Sequence, residues 1–143
     1  MEYTEVKGDL FNVHESYTLA HCISVDCKMG AGIAVQFVKH NPDMRETLLK
    51  MNPKVGEALY YNWEGKHGVI NLITKEKYFH KPTREDFNRA ILDMKGVVIS
   101  YDIKKLAIPL LGAGLDKLNW DESSQFIQEV FKDTDIQILV VKL

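Results

Sequence analysis

The triplet Gly-Ala-Gly occurs twice, at Gly30-Ala31-Gly32 and at Gly112-Ala113-Gly114, each time beyond an apolar strand candidate. The second is the clearer of the two. Ala107-Ile108-Pro109-Leu110-Leu111 runs straight into it, and Leu115-Asp116 closes it on a carboxylate. The first opens onto a helical pattern in which Ile33, Phe37 and Val38 share a face, with Ala34 inside the same turn. Two glycines flanking one small residue let a backbone approach a ligand closely and turn its N–H groups inward. A pair of such loops suggests a cradle of amides for an anionic group, phosphate above all. Each loop is equally readable, taken alone, as a tight connection. Neither matches the dinucleotide fingerprint, and no Gly-x-x-x-x-Gly-Lys-Ser/Thr occurs.

The rest of the chain supplies alternating strands and helices. Tyr3–Val6 and Tyr17–Ile23 read as strands; the latter is apolar enough to be covered on both faces. Asn41-Pro42 reads as the start of a second helix running through Leu48 and Leu49. Glu57–Tyr61 and Gly68–Thr74 read as two strands joined by a hairpin at Glu64-Gly65. Thr83 and Asp86 form a capping pair before a long helix whose apolar stripe is Phe87, Ile91, Met94, Val98 and Tyr101. Lys105–Leu110 is the strand feeding the second glycine loop. Asn119 and Glu122 cap a last helix with Phe126, Ile127, Val130 and Phe131 turned to the core, and Ile136–Val141 is a final strand. This order implies an α/β fold of three layers, α/β/α, with a mixed central sheet. The length of 143 residues suits one domain spanning 1–143.

A net charge of −2 argues against direct nucleic-acid binding, which ordinarily brings a basic excess. The uncharged run from Leu106 to Leu115 is too short to cross a membrane. With only Cys22 and Cys27 and no secretory leader pattern, the expected setting is intracellular, nuclear or cytoplasmic, and the expected state a monomer.

The candidate chemistry lies at strand ends. Lys75 follows an apolar strand, and Asp116 closes the second loop. Lysine can attack an electrophilic sugar carbon, with aspartate as base or electrostatic partner. Either is as readily a solvated loop residue. Asp9, after Gly8, can accept an exocyclic amine or stabilise a turn; Ser24 can donate to a phosphate or sugar or satisfy its own loop. His21, Cys22 and Cys27 lack zinc-site spacing, so no metal or other cofactor is expected. Cys22 reads as core, and no feature favours a Cys–His nucleophile. Lys75, Lys77, His80 and Lys81 form a small basic cluster suited to a phosphorylated ligand or to solvent.

Together, Lys7-Gly8-Asp9-Leu10-Phe11, the run His21–Ala34, Leu72–Lys75, His80–Thr83 and Gly112–Asp116 resemble the macrodomain family. The nearest branch holds ADP-ribose protein glycohydrolases and O-acetyl-ADP-ribose deacetylases, and the likeness covers nearly the whole chain. It implies a macro domain with an ADP-ribose cleft at the strand ends, and ADP-ribose and ADP-ribosylated proteins as partners. It implies Lys75 as the nucleophile at ribose C1″ and Asp116 as its proton-transfer partner. Asp9 is implied at adenine. Leu10, Ser24, the loop Gly30, Ala31, Gly32, Ile33, Ala34, the segment Leu110, Leu111, Gly112, Ala113, Gly114, Leu115, and Leu143 are implied to line the ligand. Leu110 and Ala113 depart from the branch, which commonly has arginine and cysteine there.

The activity so implied is removal of mono-ADP-ribose from glutamate and aspartate side chains, together with deacetylation of O-acetyl-ADP-ribose. A non-catalytic ADP-ribose reader and an ADP-ribose-1″-phosphate phosphatase are the alternatives. The nucleophile is the demanding part of the mechanism. A free lysine is neutral in only about one molecule in 2,500 at pH 7, a handicap of about 4.6 kcal/mol.

Overall fold

The computed structural model describes residues 1–143. Its sheet has six strands: β1 (Glu2–Lys7), β2 (Thr18–Ser24), β3 (Ala58–Trp63), β4 (His67–Lys75), β5 (Lys105–Ile108) and β6 (Gln137–Lys142). Their order is β1-β6-β5-β2-β4-β3. All neighbours run parallel except β3, which pairs antiparallel with β4 through the expected hairpin. Helices α1 (Ile33–His40), α2 (Met44–Lys50), α3 (Arg84–Ser100) and α4 (Trp120–Phe131) complete the α/β fold.

Side chains alternate across the strands, so the sheet buries two separate cores. On one face, Phe87, Ile91 and Met94 of α3 and Ile127 and Phe131 of α4 pack on Ala20, Ile70, Leu106 and Ile138. On the other, Phe37 of α1 and Met44 and Leu48 of α2 pack on Leu19, Ile23, Val69 and Ala107. The three layers read from the sequence are thus present. Thr83 and Asn119 cap α3 and α4 as expected, accepting from the N–H of Asp86 and Glu122.

Three local expectations fail. Asn41 does not start α2; its side-chain amide donates to the Phe37 carbonyl at 3.0 Å and its own N–H also bonds back, so it closes α1. Helix α2 begins only at Met44, after an Asp43 that provides no side-chain cap. Tyr101 leaves the α3 stripe: it is the C-cap, more than half exposed, and stacks on Tyr60 at 4.1 Å. Strand β5 stops at Ile108 rather than Leu110, because Pro109 has no N–H to continue the ladder.

This topology decides where a ligand can sit. Strands β2, β4 and β5 are parallel neighbours, so the segments after them emerge at the same edge. These segments are the first glycine loop, the stretch after Lys75, and the second glycine loop.

Candidate active site

The three segments enclose a cleft of about 470 Å³, within the range of small-molecule sites. Its floor is the end of β2. One wall is residues 28–34. The other is Pro109–Gly112 with Gly114–Asp116, and the mouth carries Tyr78, Phe79 and Lys81.

Backbone donors are plentiful on both sides. Helix α1 starts immediately after Gly32, and no side chain caps it. The N–H groups of residues 30–34 make no internal hydrogen bond, which leaves a helix N-terminus open to an anion. Gly32 sits at φ 62° and ψ −148°, a region essentially reserved for glycine. In the second loop the work divides. The N–H groups of Leu111 and Ala113 bond back to Pro109 and Leu110, and that of Gly112 points to the Cys22 thiol. The N–H groups of Gly114, Leu115 and Asp116 carry no internal bond. The open half of this loop therefore begins at Gly114, and Ala113 is the loop residue that does not reach the cleft.

Lys75 and Asp116 meet at the cleft wall. Lys75 Nζ donates to Asp116 Oδ1 at 2.6 Å, and each side chain is only 13% exposed. The other end of the same wall is fixed by Lys81, whose ammonium donates to the Leu115 carbonyl. A polar hollow of about 570 Å³ shares Lys75 and Lys81 with the cleft, so the pair stands between two openings.

Ser24 also lines the cleft, almost wholly buried, but its hydroxyl donates to Asp26 Oδ1. Of the two roles read from the sequence, local satisfaction is the one seen, through the Asp26 side chain, and the lone pairs of the hydroxyl are what remains for a ligand. Asp26 further accepts from the N–H of Lys28 and of Tyr78. Burial works against its charge, yet these donors and Lys77 outweigh that and hold the carboxyl below its usual range.

Cys22 packs against the core, as read from the sequence, and also forms part of the cleft floor, near Asp116 and Lys75. Burial first, and the Asp116 charge second, push its thiol well above the usual value, so it stays protonated and is no nucleophile. His21 is fully buried in the same floor. Its Nε2 meets Asn71 Oδ1 at 2.6 Å, and desolvation lowers its pKa to about 4. No group of three or more His, Cys, Asp or Glu side chains is placed to hold a metal ion.

Asp9, Leu10 and Leu143 lie outside the cleft lining. Asp9 caps the short 3-10 turn Leu10–Asn12, one oxygen accepting from the Phe11 N–H at 2.9 Å. Leu10 packs in the core beneath the first loop with Cys27, Met29 and Phe37. Leu143 is fully exposed beyond β6. Asp26, Tyr78 and Phe79 were not anticipated. The only sequence signals for them were an acid two residues after Ser24 and an aromatic pair inside the basic cluster.

Comparison with protein-family models returned no match. The human ADP-ribose glycohydrolase OARD1 is 44% identical over 140 residues, covering 98% of this chain and 91% of that protein. The DNA ADP-ribosyl glycohydrolase of Thermus aquaticus is 25% identical over 134 residues, covering 89% of this chain and 37% of that protein. Among solved structures, the macrodomain of Mycobacterium tuberculosis DarG superposes with a TM-score of 0.88 at 23% identity, over 97% of this chain and 96% of that one. Thermosipho africanus DarTG in complex with ADP-ribose superposes with a TM-score of 0.87 at 19% identity, over 99% of this chain and 42% of that one. With a whole-length relative at 44% identity and this fold, the chain belongs to the ADP-ribose glycohydrolase OARD1 family of macrodomains.

Proposed function

We propose that the protein binds ADP-ribose in the cleft and removes it from glutamate and aspartate side chains of modified proteins. Hydrolysis of the acetyl ester of O-acetyl-ADP-ribose is a second activity proposed for the same cleft. The observation that carries this reading is the Lys75–Asp116 contact at 2.6 Å on the cleft wall. A reader of ADP-ribose needs only the amide cradle; a buried ammonium–carboxylate pair beside it adds a nucleophile and a place for its proton.

The lysine handicap is met along that hydrogen bond. As Nζ approaches C1″, its proton passes to Asp116 Oδ1, already 2.6 Å away. The C1″–O bond breaks and its electron pair leaves with the protein carboxylate. An acid with a pKa of roughly 4.3 needs little protonation to depart. Asp116 hands the Lys75 proton to the departing carboxylate and, ionised again, removes a proton from the water that attacks the lysyl-bound carbon. The C1″–N bond breaks, and Lys75 leaves as a neutral amine that takes the proton back from Asp116 as ADP-ribose is released. The diphosphate lies against the open amides of residues 30–34 and 114–116, which supply charge stabilisation without a cation. The polar hollow beyond Lys75 gives the attached chain room to continue. Leu110 lines the cleft and Ala113 lies outside its lining, and neither departure replaces a residue of the proposed reacting pair.

A second reading rests on the cleft mouth. Tyr78 and Phe79 are 55% and 66% exposed, meet edge to face at 5.3 Å, and have Lys28, Lys77 and Lys81 nearby in the chain or the cleft. Exposed aromatics among cations can stack an unpaired base. ADP-ribose linked to single-stranded DNA is therefore the alternative substrate. Turnover on defined aspartate/glutamate-, serine-, arginine- and DNA-linked ADP-ribose tests both. Release from the carboxylate esters alone supports the first reading, and release from DNA alone the second; tight ADP-ribose binding with no release from any of them identifies a reader.

A further inference from the structure

Asp26 does not line the cleft, yet its carboxylate holds two of the segments that do. Oδ1 accepts from the Ser24 hydroxyl and from the Lys28 N–H at 3.2 Å, and Oδ2 accepts from the Tyr78 N–H at 3.1 Å. The last bond extends a backbone seam. Val25 N–H donates to the Lys75 carbonyl at 2.9 Å, and Asp26 N–H to the Glu76 carbonyl at 3.3 Å. Past Glu76 the two segments are joined by the Asp26 side chain.

The Oδ1 bonds act on a strained stretch. Cys27 and Met29, on either side of Lys28, have φ of 48° and 49°, a left-handed conformation that L-residues adopt at a cost. Such geometry persists where its surroundings fix it. Here the Asp26 carboxylate takes the Lys28 N–H between them, alongside Arg45 Nε on the Cys27 carbonyl at 2.6 Å and the burial of Cys27 and Met29.

The Ser24 bond has a chemical consequence. A serine hydroxyl has one proton and two lone pairs, and Asp26 takes the proton. Ser24 is the strand partner of Lys75 in the β2–β4 register, and both residues line the cleft. Under the proposed function the ligand group there would be the distal ribose, which carries hydroxyl donors.

We propose that Asp26 is a positioning residue: it fixes Ser24 as an acceptor for a distal-ribose hydroxyl and clamps the segment after Lys75 to the first glycine loop. This rests on the ADP-ribose chemistry proposed above. The carboxylate is needed because three donors converge on it. An amide of the same shape presents one oxygen and one NH2, and must turn a donor toward Ser24 and Lys28 or toward Tyr78.

The test is a double-mutant cycle of Ser24→Ala and Asp26→Asn, read as Kd for ADP-ribose and as kcat and KM on glutamate-linked ADP-ribose. Asp26→Asn should raise Kd and KM roughly tenfold and lower kcat at a temperature well below the melting point, whatever its effect on that melting temperature. Ser24→Ala should weaken binding in the wild-type background and have little further effect beside Asp26→Asn. Wild-type kinetics in Asp26→Asn, additive effects, or a lowered melting temperature with unaltered kcat and KM would overturn the inference. Analogues lacking the 2″ or 3″ hydroxyl give a second measurement that needs no Asp26 variant. Wild-type protein should lose roughly tenfold in affinity for one of them, and Ser24→Ala should lose nothing more; equal losses in both proteins overturn the assignment. Wild-type protein that binds no ADP-ribose would overturn the proposed function and this inference with it. Wild-type binding with an unresponsive Asp26→Asn overturns the inference alone.

Discussion

Lys75 Nζ and Asp116 Oδ1 stand 2.6 Å apart although 41 residues separate them in the chain. Strand β4 delivers the lysine and the loop after β5 the aspartate, with β2 between the two strands. In the proposed mechanism one hydrogen bond carries both the nucleophile and its proton acceptor, so the two residues are expected to act as a unit. Lys75→Ala and Asp116→Asn should each reduce ADP-ribose release by roughly 10²–10⁴-fold, and the double variant should be little worse than either. Single-turnover release measures all three. Multiplicative losses would show that the two side chains work independently.

The glycines separate folding from binding. Gly112 lies at φ 71°, and a Cβ there would meet Leu118 Cδ1 at 3.0 Å and Phe87 Cε2 at 3.2 Å. Gly112→Ala should destabilise the fold by at least about 1–2 kcal/mol. Gly114 has no such φ, and nothing of the protein lies within 4 Å of its Cβ position. Gly114→Ala should keep the melting temperature and lose ADP-ribose affinity, read by thermal unfolding and calorimetry on the same samples.

His21 makes stability pH-dependent. Its pKa falls from 6.5 in the unfolded chain to about 4 in the fold, because burial disfavours the imidazolium. Between these values the unfolded state binds the extra proton, so stability declines as pH drops from 6.5 towards 4. The full gap corresponds to roughly 3 kcal/mol. Chemical denaturation across this range should show that slope, and His21→Gln should flatten it.

The cap of α3 is a conventional stability element. Thr83 accepts from the Asp86 N–H at 3.0 Å, so Thr83→Ala should cost about 1 kcal/mol. Urea midpoints should show the loss, with ADP-ribose affinity retained.

Much of this was legible beforehand because it rests on local patterns. Periodicity marked both cores, the Thr83 and Asn119 caps were plain, and the strand-to-glycine transitions pointed to the cleft. What stayed hidden depends on where side chains go in space. Asn41 has the composition of a start signal, but burial turns its amide back onto α1. Cys22 reads as core in an apolar run and does pack on the core, and only its place near the end of β2 shows that it is cleft floor as well. Asp26 is one acid among many until the Tyr78 N–H, 52 residues away, arrives at its Oδ2. The pairing of Lys75 with Asp116 came from resemblance; the spacing of residues contained no hint of contact.

The proposed covalent role of Lys75 is tested most directly by borohydride reduction during turnover of a glutamate-linked ADP-ribosyl protein. A lysyl glycosylamine opens to an imine, which borohydride reduces to a stable amine. One adduct of ADP-ribose mass is expected, mapped by peptide sequencing to Lys75 and absent from Lys75→Ala. Release of ADP-ribose at the full rate with no adduct, or an adduct on another lysine, would contradict that role.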